Sequence, residues 1–208
     1  KVFASGVPLK TVQEERDFAQ AAFVAGVPTA ISYDVVKCGD CYGAVYEMLD
    51  AKTMAQTIKE NPDKAEAYGT MMGKLLKELH HTQADTKVLN NISKLYAERV
   101  EFMRRYCTDA EIDKLKRIYE ALPERSTILH GDYHAKNIML VNDEPTFIDM
   151  GDVGFGHPFF DIGGSFLGMV HIGLTNPAIV EHYIGINYDL ALKAWDAMPH
   201  EYFGAENV

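Results

Sequence analysis

Alternating apolar and polar residues mark the first quarter of the chain. Apolar runs at residues 31–36 and 44–48 flank Gly39 and Asp40, a pair that favours a tight turn. We therefore expect two antiparallel strands joined as a hairpin, and residues 1–3 have the composition of the end of a further strand. This part of the chain predicts a small sheet.

Most of the remaining chain has apolar residues at helical spacing. In residues 64–83, six apolar side chains fall on one helical face. Capping boxes at residues 11–14 and 108–111 predict where two of the helices begin. The predicted helices cover residues 11–25, 54–60, 64–83, 92–105, 108–122, 165–172, 177–184 and 188–198.

The order of these elements predicts an α+β fold in two parts. A small β-rich lobe takes residues 1–49 and a larger, mainly helical lobe takes residues 50–208, with the boundary near Leu49. A chain of 208 residues can bury a sizeable core in either arrangement, as one large domain or as two lobes.

Composition and charge argue against several classes of protein. A net charge of −10 argues against a nucleic-acid partner, and no apolar run is long enough for a membrane span. We also expect no signal peptide. Three cysteines, an odd number, favour a reducing compartment, so we expect a cytoplasmic protein. Cys38 and Cys41 form a C-x-x-C pair, but no second pair completes a zinc site, which favours a hairpin turn there.

Polar residues with catalytic potential are concentrated between residues 128 and 164. Asp132 follows an apolar pair, and Asn137 comes five residues later, just before a second apolar run. A turn and a third apolar run then lead to Asp149. We expect the resulting hairpin to bring two carboxylates and one amide together. Phosphoryl transfer needs such a set, because one acid accepts the proton of the attacking hydroxyl while an amide and a second acid hold Mg²⁺.

These residues fit a known template, H-x-D-x-x-x-x-N followed by D-x-G, at His130, Asp132, Asn137, Asp149 and Gly151. The segment resembles the aminoglycoside phosphotransferase and choline kinase family, whose members are similar in fold to protein kinases. A further acid of that family, before a helix, corresponds to Asp161, twelve residues after Asp149. The resemblance covers nearly the whole chain and implies a protein-kinase-like fold.

The resemblance also implies roles for individual residues and two cofactors, ATP and Mg²⁺. Asp132 would be the catalytic base, with His130 supporting its loop, and Asn137 and Asp149 would be the metal ligands. His134 has two interpretations: it donates a hydrogen bond to the transferred phosphate, or it packs under the loop against a backbone carbonyl.

A lysine on a strand and a glutamate on the following helix pair in this family and hold the nucleotide phosphates. Lys1 and Glu15 have the right order and separation for that pair, although Lys10 and Glu14 are near competitors. The segment from Glu47 to Leu49 would link the lobes, and its backbone would contact the adenine.

The family fold also has a glycine-rich hairpin before this lysine. No residues precede Lys1, so we expect the N-terminal lobe to be incomplete and the chain to be an internal part of a longer protein. By itself it is expected to bind Mg-ATP weakly.

The predicted function is therefore transfer of the γ-phosphate of ATP to a hydroxyl group of a small molecule such as an aminoglycoside, choline or a sugar-like compound. Two alternatives remain. An inactive nucleotide-binding protein would keep the kinase fold, and a metal hydrolase would use His130, Asp132 and His134 with His80 or His81 as ligands. Neither the acceptor nor the oligomeric state can be predicted from the sequence.

Overall fold

The computed structural model describes residues 1–204. Its N-terminal part contains the expected hairpin, formed by β1 (Ser32–Cys38) and β2 (Cys41–Tyr46), with Cys38 opposite Cys41. Residues 1–3 run antiparallel along the other edge of β2, since Val2 bridges Gly43 and the Phe3 nitrogen donates to the Tyr42 carbonyl at 2.9 Å. Lys1 is therefore held beside a sheet.

The first helix, α1 (Leu9–Val24), begins three residues earlier than its capping box predicts. Pro8 occupies the N-cap position in an extended conformation, and no side chain caps the helix there. The amide of Thr11 donates to the Pro8 carbonyl at 3.0 Å, so this threonine lies inside the first turn. A proline has its φ already set for a helix start, which explains why Pro8 takes the place of the predicted cap.

The remaining helices follow the predicted order, with changes at their ends. All of them except the one predicted from residue 165 begin within one residue of the predicted position, and Thr53 and Thr108 both form capping boxes. The helix predicted for residues 64–83 ends at Leu79, and a short 3₁₀ turn, Pro62–Lys64, precedes it. The helices are α2 (Met54–Glu60), α3 (Ala65–Leu79), α4 (Ile92–Met103), α5 (Asp109–Ala121), α6 (Phe159–Phe166), α7 (Pro177–Ile184) and α8 (Tyr188–Phe203).

The largest departure from the predicted boundaries is at α6. This helix was expected from residue 165, yet it begins at Phe159, so Asp161 lies within its first turn rather than before the helix. A wide π turn (Leu167–His171) and a 3₁₀ turn (Ile172–Leu174) continue it. Phe160 is buried against Ile92 and Leu129, and this packing outweighs the low helix propensity of the two glycines that follow.

Two small sheets carry the central segment. In one, β6 (Ile138–Val141) pairs antiparallel with both β3 (Lys52–Thr53) and β7 (Glu144–Phe147). In the other, β8 (Gly154–Gly156) lies between β4 (Asn90–Asn91), which is parallel to it, and β5 (Thr127–Leu129), which is antiparallel. The sheets position the loops after β5 and β7 next to each other.

Helix α3 packs lengthwise against α8 through two glycines. A side chain at Gly69 would collide with the Ala194 backbone, and one at Gly73 would meet the Met198 backbone. The main hydrophobic core continues from these helices to residues of α1, which include Ala19 and Ala22. No helix among residues 1–204 has the length and apolar composition that a membrane span requires.

Candidate active site

The loop between β5 and β6 carries the sequence His130-Gly131-Asp132 and has a constrained backbone. Gly131 has a φ of +83°, and a side chain there would collide with the Asp152 carbonyl. Glycine is the residue that adopts this conformation without strain and allows such a close approach. The amides of His130 and Gly131 both donate to the Asp161 carboxylate, at 2.7 and 2.8 Å. Asp161 therefore fixes the loop that carries Asp132.

Asp161 is itself buried and fully hydrogen-bonded. His80 Nε2 lies 3.1 Å from Asp161 Oδ2, and His80 Nδ1 lies 2.8 Å from the Tyr202 hydroxyl. Burial raises the pKa of the Asp161 carboxyl, but the hydrogen bond to His80 and the surrounding charges outweigh it and hold the pKa below its usual value. Asp161 is thus an ionised carboxylate that holds the loop in place, and its partner His80 lies at the end of α3.

Asp132 lies at the end of this loop and has three side-chain neighbours. The Tyr183 hydroxyl donates to Oδ1 at 2.5 Å, while Asn137 Nδ2 donates to Oδ2 at 3.1 Å. His134 Nε2 lies 3.3 Å from the same Oδ2. Partial burial raises the pKa of Asp132, but these hydrogen bonds and the nearby histidines hold it far below its usual value. Asp132 is therefore ionised at neutral pH and can accept a proton.

The two histidines of the loop are buried and differ in their contacts. His130 accepts a hydrogen bond from the Asp132 amide at Nδ1, at 3.3 Å, and burial lowers its pKa, so the ring is neutral. His134 lies beside Asp132 and Asn137, with its ring centre 5.1 Å from that of Tyr183. No backbone carbonyl among the described residues accepts a hydrogen bond from His134, contrary to one of its two interpretations.

The β6–β7 hairpin brings Asn137 and Asp149 together. The Ile148 amide donates to the Asn137 carbonyl at 3.0 Å, so Asn137 lies opposite the residue that precedes Asp149. Asp149 adopts a left-handed conformation with φ 59° and ψ 53°, which turns its half-exposed side chain out of the strand direction. Such strained backbone is common where a side chain must be aimed at a ligand.

These two residues fit the requirements of Mg²⁺. The amide nitrogen of Asn137 donates to Asp132, and its oxygen accepts no hydrogen bond from the described residues. Asp149 uses one oxygen, Oδ1, in its contact with Lys1 at 2.6 Å. Amide and carboxylate oxygens are hard ligands of the kind Mg²⁺ prefers, and two of them suffice when phosphate oxygens and water complete the shell.

Lys1 forms an ion pair with the predicted glutamate. Its Nζ lies 2.9 Å from Glu15 Oε1 and 2.6 Å from Asp149 Oδ1. Partial burial lowers the pKa of Lys1, but Asp149 and Glu15 outweigh it and hold the pKa above its usual value. The Tyr46 hydroxyl also donates to Glu15, at 3.0 Å. A side-chain Cβ at Gly151 would lie 2.8 Å from Glu15 Oε2, which explains the glycine of the D-x-G motif.

The competing residues of α1 lie elsewhere. Lys10 contacts Glu14 at 3.5 Å, four residues apart on the exposed face of the helix. Glu15, by contrast, is 8% exposed. Of the two possible pairs, the structure therefore places Lys1 and Glu15 beside Asp149.

A cleft of about 370 Å³ opens at this group of charges. Lys1, Glu15 and Asp149 form its charged end, and most of its remaining wall is apolar. Glu47 and Leu49, the residues expected to link the lobes, also line it. Clefts of this size with a few charged groups at one end are typical small-molecule sites.

The ligand set of a metal hydrolase is not assembled. His80 faces Asp161 and Tyr202, away from the pairing of His134 with Asp132. Among residues 1–204, no three or more His, Cys, Asp and Glu side chains are grouped so that they could hold a metal ion. Cys38, Cys41 and Cys107 are free thiols.

Comparison with known proteins agrees with this geometry. A family model described as the phosphotransferase enzyme family matches residues 1–196. The chain belongs to that family. It is a phosphotransferase. No curated protein sequence matches this phosphotransferase.

Solved structures show the same fold at low sequence identity. The phosphotransferase superposes on an aminoglycoside-3'-phosphotransferase of type VIII with a TM-score of 0.57 and 16% identity, covering 98% of this chain and 77% of that one. A choline/ethanolamine kinase family protein from Mesorhizobium loti gives a TM-score of 0.51 at 16% identity, covering 98% of this chain and 65% of that one. The streptomycin–ATP–APH(2")-IIa ternary complex gives a TM-score of 0.52 at 18% identity, covering 96% of this chain and 70% of that one. The fold is therefore α+β and kinase-like.

Three residues of the site carry no motif that sequence reasoning could detect. Tyr183 is in α7, fifty-one residues after Asp132, and His80 is at the end of α3. Tyr46 is in β2, on the strand that faces Glu15. Each reaches the site through tertiary packing, and the adjacent pair His80-His81 was interpreted as the end of a helix and as possible ligands of a metal hydrolase.

Proposed function

We propose that this phosphotransferase is an ATP-dependent small-molecule kinase, which transfers the γ-phosphate to a hydroxyl of its acceptor. The observation that carries the proposal is a connected set of contacts. Lys1 contacts Asp149 at the cleft, Asn137 is bonded to the residue before Asp149, and the Asn137 side chain donates to Asp132. Residues separated by up to 148 positions converge there, each of the type that phosphoryl transfer uses.

The cleft beside Lys1 is the proposed nucleotide site. Lys1, positioned by Glu15, would hold the phosphates, and the backbone of Glu47 and Leu49 would contact the adenine. The same assignment keeps the boundary between the two lobes near Leu49. A nucleotide phosphate would compete with Asp149 for the Lys1 ammonium, which is half-exposed and accessible.

Asn137 and Asp149 would hold Mg²⁺, which neutralises charge on the β- and γ-phosphates when it is bound. The left-handed conformation of Asp149 supports this role, because it directs the carboxylate towards the cleft rather than into the hairpin. The side-chain oxygen of Asn137, which accepts no hydrogen bond from the described residues, would supply the second ligand.

Asp132 would act on the acceptor hydroxyl. The hydroxyl oxygen forms a bond to the γ-phosphorus, the bond from that phosphorus to the bridging oxygen breaks, and the nucleoside diphosphate leaves with the electron pair. The proton of the hydroxyl passes to Asp132, whose low pKa keeps it ionised beforehand. His130 supports the loop, and His134 positions Asp132 through its 3.3 Å contact.

Aminoglycosides, choline and sugar-like alcohols are the acceptors proposed for a first panel, because the structural neighbours include an aminoglycoside phosphotransferase and a choline/ethanolamine kinase family protein. A cytoplasmic location remains a prediction, and the free state of the three cysteines agrees with it.

Two variants test the division of roles. Asp132→Asn removes the proton acceptor, so we expect loss of transfer by orders of magnitude while Mg-ATP still binds. Asp149→Asn removes a metal ligand, so both Mg-ATP affinity and transfer are expected to fall. Calorimetric titration of Mg-ATP and a coupled assay for nucleoside diphosphate measure the two properties separately.

Asp196→Asn is the matched control, since Asp196 is an exposed acid on α8 without an ion pair among the described residues. Near-control turnover in the Asp132 variant would remove that residue from its role. Binding of Mg-ATP without any transfer, across the whole panel of acceptors, would favour the inactive nucleotide-binding alternative instead.

A further inference from the structure

A second cavity, of about 300 Å³, is lined by Asp132 and shares no lining residue with the nucleotide cleft. Its walls come mainly from α6, the π turn that follows it and α7. Asp132 and His134 form its polar end, and apolar side chains that include Phe160, Leu167 and Ile179 form the remainder. A hydroxyl compound held here would present its oxygen to Asp132.

The charge of this cavity does not suit a polycation. Asp132 and Asp161 are the only carboxylates among the described residues that line it. Asp161 is 2% exposed, and both of its oxygens accept hydrogen bonds from the loop or from His80. A ligand with several positive charges would lose its hydration without gaining more than one carboxylate, which is unfavourable.

The apolar rim, by contrast, suits an uncharged ring. Leu167 and Ile179 are 49% and 45% exposed at the mouth of the cavity, so burial under a ligand would remove apolar surface from water. Tyr183 gives a direct indication of what fits. Its phenol donates to Asp132 Oδ1 at 2.5 Å, and its ring packs edge-on against His134. The protein's own side chain is thus a hydroxyl on an apolar ring, bound at Asp132.

We propose that the acceptor site is this cavity and that its acceptor is an alcohol with an uncharged, ring-containing apolar body rather than a polycation. The inference rests on the proposed function, since Asp132 must be the proton acceptor. The acceptor hydroxyl takes the place of the Tyr183 hydroxyl, its oxygen bonds to the γ-phosphorus, its proton passes to Asp132, and the nucleoside diphosphate leaves.

The test compares 2-phenylethanol, a neutral ring alcohol, with the polycation streptomycin in the same protein. Binding is followed by ligand-observed NMR in the presence of Mg-ADP, and turnover by release of nucleoside diphosphate. We expect kcat/KM for 2-phenylethanol to exceed that for streptomycin at least tenfold. Tighter binding or faster turnover of streptomycin would overturn the proposal.

A charge placed in the cavity provides a second test. Ile179→Glu should lower kcat/KM for 2-phenylethanol at least tenfold and leave Mg-ATP affinity unchanged, because the nucleotide cleft is elsewhere. Ile118→Glu is the matched control, since Ile118 is similarly exposed, at 39%, on α5 and does not line the cavity. Equal kinetics of the two variants would refute the assignment of the site.

The experiments distinguish failure of the acceptor assignment from failure of the proposed kinase function. If Mg-ATP binds and is consumed with other alcohols, but neither the comparison of the two ligands nor that of the two variants gives the expected difference, the acceptor assignment is wrong. The kinase function then stands. If Mg-ATP does not bind at all, the proposed function is wrong and the acceptor assignment falls with it.

Discussion

The hydrogen bond between Tyr183 and Asp132 predicts that removing one hydroxyl improves acceptor binding. In the structure the phenol donates to Asp132 Oδ1 at 2.5 Å, and an acceptor hydroxyl needs the same oxygen. Every acceptor must therefore displace Tyr183 before its proton can pass to Asp132. Tyr183→Phe keeps the ring and its contact with His134 but removes the competing donor.

The size of the effect follows from the strength of that bond. Hydrogen bonds to charged groups contribute about 1.5–3 kcal/mol, and the lower end applies because Tyr183 is 46% exposed. About 1.4 kcal/mol corresponds to roughly tenfold in an equilibrium constant, so we expect the acceptor KM to fall about tenfold. The assay is steady-state release of nucleoside diphosphate at saturating Mg-ATP.

The pH profile gives an independent readout. The hydrogen bond from Tyr183 is one of the contacts that hold the pKa of Asp132 below its usual value. Its loss raises that pKa, and a protonated Asp132 cannot accept a proton. The acid limb of kcat/KM, which reports the free enzyme, is therefore expected at higher pH in Tyr183→Phe than in the wild type.

Tyr188→Phe is the matched control for this experiment. The Tyr188 hydroxyl donates to the Val170 carbonyl at 3.1 Å and does not contact Asp132. An unchanged or raised KM in Tyr183→Phe, relative to this control, would refute the competition. It would show instead that Tyr183 helps to orient the acceptor.

Two further predictions concern the support of the catalytic loop. Gly131→Ala should lower kcat more than tenfold, because a Cβ there collides with the Asp152 carbonyl. The control is Gly39→Ala, also at positive φ but in open space, which should leave kcat unchanged in the same transfer assay. Asp161→Ala should cost about 3 kcal/mol of stability, because three hydrogen-bonded partners, two of them in buried residues, lose their acceptor. It should lower Tm by about 6 °C or more in thermal unfolding, with Asp196→Ala unaffected. The pKa of Asp161 is lower in the folded state, so Asp161 contributes stability above its pKa in the unfolded chain and loses that contribution in acid. The difference in Tm between the wild type and Asp161→Ala should therefore shrink below about pH 4. A difference that stays constant with pH would contradict the assignment of Asp161 as ionised.

Local patterns in the sequence were sufficient for much of this structure. The hairpin around Gly39, the capping boxes at Thr53 and Thr108, and the range of α7 all depend on residues within a few positions of each other. Their energies are local, so spacing and residue type predict them. The pairing of Lys1 with Glu15 was also predicted, although from resemblance to a family rather than from local chemistry.

Other boundaries depend on contacts that no local pattern contains. The capping box at Thr11 is overridden by Pro8, and α6 begins at Phe159 because Phe160 packs against residues of α4 and β5. β8 was not predicted, since three residues with two glycines pair as a strand only between two existing neighbours.

The sequence by itself therefore determined the order of the helices and the residue types of the site, because the motif that carries Asp132, Asn137 and Asp149 is continuous along the chain. Only the tertiary structure decided what surrounds Asp132. Tyr183 and the apolar cavity reach it from α7, and Asp161 and His80 support its loop from α6 and α3. Their hydrogen bonds and burial arise when helices that are distant in the sequence pack together. The spacing of residues along the chain therefore does not predict them.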